Sequence, residues 1–320
     1  MRTLRLALGF HCWFIVLLTV ALYAMPAKGQ IIVPGTGQRI AWDDFEDENW
    51  QFIPNFPKSS RENDGNERRP LGYSNNGMWI ESAKRGAPDE VRRVPTPPGG
   101  LPGSKGALML RTLYSSVPNT ISYKPGQDDL IMRLSAHVGS IPTSWYPSVV
   151  VRVYLPPWDE WENRTGTSFG FRADVVGQKW ETSKRRIFFI RRRKLVSQTY
   201  WPGMFIQFNS KTDPRYNEDS AMFIIRGDDA GYDFVGPMIY QTGWWTLGMS
   251  FTPDGRVHYF ASPGVDRLTM KDHIASHAPY YMKCKQFNTI FFNITSPNDG
   301  RTHSTTWIID DPELYVLRRR

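Results

Sequence analysis

Residues 147–174 read PSVVVRVYLPPWDEWENRTGTSFGFRAD, and this stretch decides the fold. Val149, Val151, Val153 and Leu155 alternate with Val150, Arg152 and Tyr154, the period of two that gives a strand one apolar and one mixed face. Pro156-Pro157 ends that run, because proline lacks the ladder N–H and fixes its own φ. A second alternating run starts near Thr167. Between them lies a loop crowded with tryptophans and carboxylates: Trp158, Asp159, Glu160, Trp161 and Glu162, then Asn163 and Arg164.

Outward from this pair the chain keeps a β rhythm. Segments 107–113, 129–137, 186–190, 204–209, 221–226, 244–251, 256–261, 287–294 and 307–316 each predict a strand, with turn signals such as Pro253-Asp254-Gly255 between two of them. Residues 40–50, IAWDDFEDENW, form the first structured run, and 30–39 read as a flexible lead-in. Residues 51–105 predict long loops around one short strand at 78–81, and only 265–276 predicts a helix. No repeat, heptad or low-complexity tract interrupts the pattern. The fold class expected is all-β: a jelly-roll β-sandwich of two antiparallel sheets with long loops, one domain over 40–320.

The N-terminus carries Arg2 and Arg5 before an apolar run over 10–25, followed by small residues at Ala27-Lys28-Gly29. This predicts a signal peptide over 1–29, hence a secreted, periplasmic or cell-surface protein with no stable membrane insertion after cleavage. Cys12 would leave with that segment, so Cys284 would remain as a lone, buried thiol. Three cations would leave too, reducing a formal charge of +8 to a modest surplus.

The two ends read as a pair, Trp42-Asp43-Asp44-Phe45-Glu46 and Trp307-Ile308-Ile309-Asp310-Asp311-Pro312-Glu313-Leu314-Tyr315. They resemble the ends of concanavalin A-like and carbohydrate-binding-module jelly rolls, which open on a D-F-E element and close on an I-D-D-x-x-L strand lying beside the first. The resemblance implies carbohydrate recognition. It also implies a structural Ca²⁺ held by Glu46 with Asp310 or Asp311, a reasonable set of hard oxygen ligands.

The site expected from residue types is a cationic, amide-rich face. Polar alternates Arg152, Tyr154, Arg172, Gln207, Asn209, Arg226 and His258 would share one concave sheet. Arginine forks suit carboxylate or sulfate, and amides suit sugar hydroxyls. Trp158, Trp161, Asp159 and Glu162 would form a glycan rim. The partner expected is a polysaccharide, uronate or sulfated, rather than nucleic acid. The function expected is binding. An enzyme on this face would be a uronate lyase with Tyr154 and His258 as proton-transfer groups, before a glycoside hydrolase. The strings E-x-D-x-x-E, R-S-E-L-R and Y-F-K-A-G-x-Y, which mark such enzymes, are absent. A structural cell-surface protein is the third alternative.

Two further motifs are the basic tract 179–194, KWETSKRRIFFIRRRK, and the sequons Asn163-Arg164-Thr165 and Asn293-Ile294-Thr295. His273 and His277 stand four apart without the glutamate of a metalloprotease string.

Overall fold

A computed structural model describes residues 30–182 and 193–317. The expected signal peptide, the expected strand at 186–190, the middle of the basic tract and the last three arginines lie outside them. The described chain is a jelly-roll β-sandwich of two antiparallel sheets.

The decisive stretch becomes the two central strands, Ser148–Leu155 and Gly166–Thr182. They belong to different sheets. Ser148–Leu155 pairs with Gly243–Phe251 and Trp307–Val316, whereas Gly166–Thr182 pairs with Lys283–Ser296 and Gly203–Asn209. The proline-stopped loop is therefore a crossover from one sheet to the other. Val149, Val151, Val153 and Leu155 face Phe169, Phe171, Ala173 and Val175 across the core, and all eight are fully buried. Each such large side chain is worth about 1.5–3 kcal/mol of burial.

We call the sheet of Ser148–Leu155 the back sheet. It runs from His273–His277 through Val257–Pro263, Gly243–Phe251, Ser148–Leu155, Trp307–Val316 and Gly106–Arg111 to Glu90–Pro95. The first strand, Gln38–Trp42, adds to the last, Trp307–Val316, so the chain ends meet. The front sheet runs from Phe234–Ile239 through Ser220–Arg226, Gly203–Asn209, Gly166–Thr182, Lys283–Ser296 and Gly126–Met132 to Trp79–Glu81, Tyr73–Ser74 and Phe52–Ile53. Arg193–Tyr200 pairs with the far half of Gly166–Thr182 as a ribbon.

Four expectations need correction. Residues 265–276 are no helix: a short turn, Met270–Asp272, capped by Thr269, leads into His273–His277, which pairs with Val257–Pro263. The strand expected to reach 137 stops at Met132, and Leu134–Val138 is a helical turn. The lead-in is anchored, since Ile32 is buried and its carbonyl accepts from Ser250 Oγ at 2.6 Å. Residues 51–105 are more structured than their Pro and Gly content implies. The buried Lys58 ties this arm to the sandwich by ion pairs to Asp128 at 2.5 Å and Asp89 at 2.8 Å. Two nearby aspartates keep its ammonium charged against the cost of burial.

The aspartate just before the opening D-F-E element has a structural use. Asp43 Oδ2 accepts the indole N–H of Trp50 at 3.2 Å and of Trp79 at 2.7 Å, so one carboxylate pins two core tryptophans. Cys284 is a buried free thiol, with burial pushing it up to about 12.

Candidate functional site

Because the two central strands lie in opposite sheets, their polar alternates point away from each other. The expected single face is split between the two sheets.

Arg152, Tyr154 and His258 sit on the outer side of the back sheet. Arg152 Nη1 donates to Glu313 Oε2 at 2.7 Å, and Arg39 holds the other oxygen of the same carboxylate at 2.7 Å. Tyr154 packs edge-on against Trp244, with ring centroids 5.4 Å apart. His258 is buried between Thr252 Oγ1 at 2.8 Å and Ser276 Oγ at 2.6 Å, and burial pulls its imidazole down to about 4. Each of the three is committed to its own back-sheet neighbours. They do not meet Arg172 or Arg226.

Trp161 and Glu162 do not form a rim. Trp161 is buried, its N–H bound to Pro156 O at 2.7 Å and its ring stacked 5.0 Å from Phe208. Glu162 is buried under Arg164, which grips both carboxylate oxygens, and burial raises its carboxyl pKa against that partner. Trp158 is half-buried and Asp159 exposed. The loop closes the end of the sandwich because its indoles find apolar rings beneath them.

The remaining group gathers on the outer side of the front sheet. Cross-strand register sets its floor in rungs. One rung holds Ile131, Phe291, Arg172, Gly203 and Arg226 in that order across five strands. The next holds Asp129, Asn293, Gly170, Phe205 and Ile224. Arg172 and Arg226 are thus separated only by a glycine. A Cβ at Gly203 would lie 2.6 Å from Arg172 Cγ and 2.5 Å from Phe171 O, so no larger residue fits between them.

Both guanidiniums lean over the ring of Phe205, at 5.5 Å for Arg172 and 5.7 Å for Arg226, and Arg172 also covers Phe291 at 5.1 Å. Arg172 Nε and Nη2 donate to Trp201 O, leaving Nη1 without a hydrogen bond among the described residues. Arg226 Nε is buried without a hydrogen bond among the described residues, and its Nη1 donates to Asp233 at 3.4 Å. Burial pulls the Arg172 guanidinium down to about 10, with Asp129 opposing and Arg226 and Arg85 adding to the effect, and a bound anion would act in the same sense as Asp129.

Above this floor is a cavity of about 560 Å³, continuous through Glu62, Arg85, Gln127 and Arg226 with a second hollow of about 440 Å³. Trp201, Tyr280, Lys84 and Arg85 line it. Trp201 donates its indole N–H to Asp174 Oδ2 at 2.8 Å, while Lys84 Nζ lies 4.4 Å over its ring. Tyr280 stands on a left-handed backbone, φ 60, as does Tyr281 at φ 53. Asp129 accepts from Asn293 and Gln127 and lies 3.9 Å from Arg85. Its burial raises its pKa.

Gln207 and Asn209 share this side of the sheet but neither lines the cavity. Gln207 donates to Asn209 at 3.3 Å, and Asn209 is fully buried. The residues that sequence reasoning missed are Trp201, Tyr280, Arg85 and Phe205. Tyr200-Trp201-Pro202-Gly203, an aromatic pair at a proline-glycine strand start, was the available signal. Of the two sequons, Asn293 is fully buried in the floor and Asn163 is exposed.

At the paired chain ends, Glu46 Oε1 accepts from the N–H of Lys105 and Gly106, and Asp310 from Ser104 Oγ at 2.8 Å and its neighbour's N–H at 2.9 Å. Among the described residues no group of three or more His, Cys, Asp or Glu side chains gathers as a metal site. Nor is any helix there long and apolar enough to cross a membrane.

No protein-family model matches this chain, and no curated protein matches it. Among solved structures it is similar to the CBM2 module of the evolved Dit of Lactobacillus casei BL23 phage J-1. That match is 13% identical, covers 89% of this chain and 98% of that one, and has a TM-score of 0.34. It is similar also to the potassium-bound Emp46p carbohydrate recognition domain, at 11% identity, 74% and 88% coverage and TM-score 0.34. A third is an endo-beta-1,4-glucuronan lyase from the fungus Trichoderma reesei, at 8% identity, 87% and 95% coverage and TM-score 0.36. Values this low say nothing of what the cavity holds.

Proposed function

We propose that this is a secreted carbohydrate-binding protein that holds an acidic polysaccharide, uronate or sulfated, in the front-sheet groove. The observation that carries this reading is the rung Arg172, Gly203, Arg226: two guanidiniums on either side of a glycine, leaning over one aromatic ring, with Arg172 Nη1 and Arg226 Nη2 making no hydrogen bond among the described residues. Guanidinium forks match carboxylate and sulfate oxygens, and a charged hydrogen bond in a partly dry groove is stronger than one in water. Trp201 and Tyr280 supply flat surfaces for the C–H faces of sugar rings. An open groove, rather than an enclosed pocket, suits a polymer passing through.

Calcium enters this reading only at the chain ends. A cation between Glu46 and Asp310, which are close enough to repel each other, would join the first strand to the last and leave the groove untouched.

The test is retention of the purified protein on neutral, uronate and sulfated polysaccharides, with the ultraviolet absorbance of unsaturated uronate followed in parallel. Acidic polymers should retain it, and Arg226→Gln should weaken that retention about tenfold with an unchanged melting curve, since its side chain is 38% exposed. Equal retention on neutral and acidic polymers, or none, sinks the proposal. Rising absorbance would replace binding by β-elimination as the activity of the same groove.

A further inference from the structure

A separate hollow lies at the opposite end of the strand Ser220–Arg226, beside Ser220 instead of Arg226. Six residues separate these ends, roughly 20 Å along a strand. The hollow has a volume of about 590 Å³, bounded by Pro157, Trp158 and Asp159 on one side and by Asn217, Glu218 and Tyr240 on the other.

Its chemistry is the reverse of the groove's. The one lining cation, Lys211, is committed, its Nζ 3.2 Å from Asp219, whose other oxygen takes the Lys211 backbone N–H. Asp159 and Glu218 have no hydrogen bond or ion pair among the described residues. The aromatic wall is built in. Trp158 rests on Trp161 at 5.2 Å and on Phe208 at 6.2 Å, and Trp161 is itself locked by its N–H and by Trp307 at 5.0 Å. Trp158 is thus a ring held from below with its remaining surface in the hollow. Tyr240 faces the same hollow while 74% exposed, a large aromatic left in water.

We propose that this hollow is a second carbohydrate site, for a sugar unit that carries no acid group. Held aromatic rings meet the apolar C–H face of a pyranose, and the carboxylates and Asn217 take its hydroxyl or amino hydrogens. Those carboxylates repel uronate and sulfate. The protein then holds two chemically different glycans, or two kinds of unit in one mixed polymer, at sites on the same sheet. This assignment does not depend on what the groove binds.

Calorimetric titration of the full chain with neutral gluco-oligosaccharides, glucosamine oligomers and oligouronates tests it. At least one of the first two should bind. Tyr240→Ala, a fully surface change, should weaken that binding about tenfold, the scale of one aromatic anchor, while Arg226→Gln leaves it unchanged. Loss with Asp159→Asn of glucosamine binding alone assigns an amino sugar, and its retention for glucose oligomers assigns a neutral one. The proposal is overturned if no non-acidic oligosaccharide binds, if Tyr240→Ala has no effect, or if Arg226→Gln abolishes the same binding.

Discussion

The two outer faces of this sandwich carry the same residue types and differ in whether those residues are finished. On the back sheet, Arg152 meets Glu313, and Arg39 completes the carboxylate from the far side. On the front sheet, Arg172 and Arg226 meet no carboxylate at hydrogen-bond distance except Asp233, which reaches Arg226 at 3.4 Å. Arg152 and Arg226 each keep a buried Nε without a hydrogen bond among the described residues, so the contrast lies in the counter-ion: Arg152 shares a buried carboxylate with Arg39, whereas Arg172 is held by a carbonyl and two rings. The difference between structure and site here is one of partners.

The largest expected effect tests the back face. Glu313→Gln removes the carboxylate that the guanidinium of Arg152, 8% exposed, donates to, leaving Asp311 as a more distant counter-charge. Removing one partner of such a buried pair should cost about 3 kcal/mol. Urea denaturation measures this, and affinity for acidic polysaccharide should stay unchanged in the folded fraction. Affinity that fell with little loss of stability would make the back face a binding surface and break the comparison.

A smaller effect sharpens it through pH. Burial, helped by His273 and Arg256 and opposed by Asp254, holds His258 at about 4, below the 6.5 of a solvated histidine. Between those values the unfolded chain takes up a proton that the folded protein refuses. The contribution of His258 is therefore complete above about pH 6.5 and is lost as the pH falls toward 4. His258→Gln should cost about 1.5 kcal/mol at pH 7 through its two hydroxyl partners, and its stability should vary less than wild type between pH 6.5 and 4. Parallel profiles would show that the imidazole is hydrated, as a proton-transfer group on an open face would be.

The strand rhythm was legible in the sequence because alternation is local: the run 307–316 is the observed strand Trp307–Val316, and 149–155 lies inside Ser148–Leu155. Which sheet a strand joins is not local. Arg152 and Arg172 are both polar alternates, and only pairing with Asp310 in one case and Phe291 in the other sets them on opposite faces. The tryptophan loop shows the same limit. Its composition fits a glycan rim, but Phe208 and Trp307, far off in sequence, draw Trp161 inside. Residues 265–276 carry no strong local signal, and the edge of Val257–Pro263 makes the last third of them a strand. Tyr280 has no sequence mark at all, since its place comes from a left-handed backbone clipped to Asp228.

The smallest expected effect lies in the groove wall. Trp201 Nε1 donates to Asp174 Oδ2, and Asp174 Oδ1 accepts from Asn288 at 2.7 Å, so the indole plane is fixed from behind. Trp201→Phe keeps an aromatic face but drops that donor, leaving the ring free to turn. Affinity for an acidic polysaccharide should fall only about threefold, within the range of a single net hydrogen bond, with stability changed by less than about 1 kcal/mol. Trp201→Ala, which removes the face as well, should cost more. If both substitutions leave retention unchanged, the sugar does not touch this indole, and Arg172 and Arg226 bind the polymer without it.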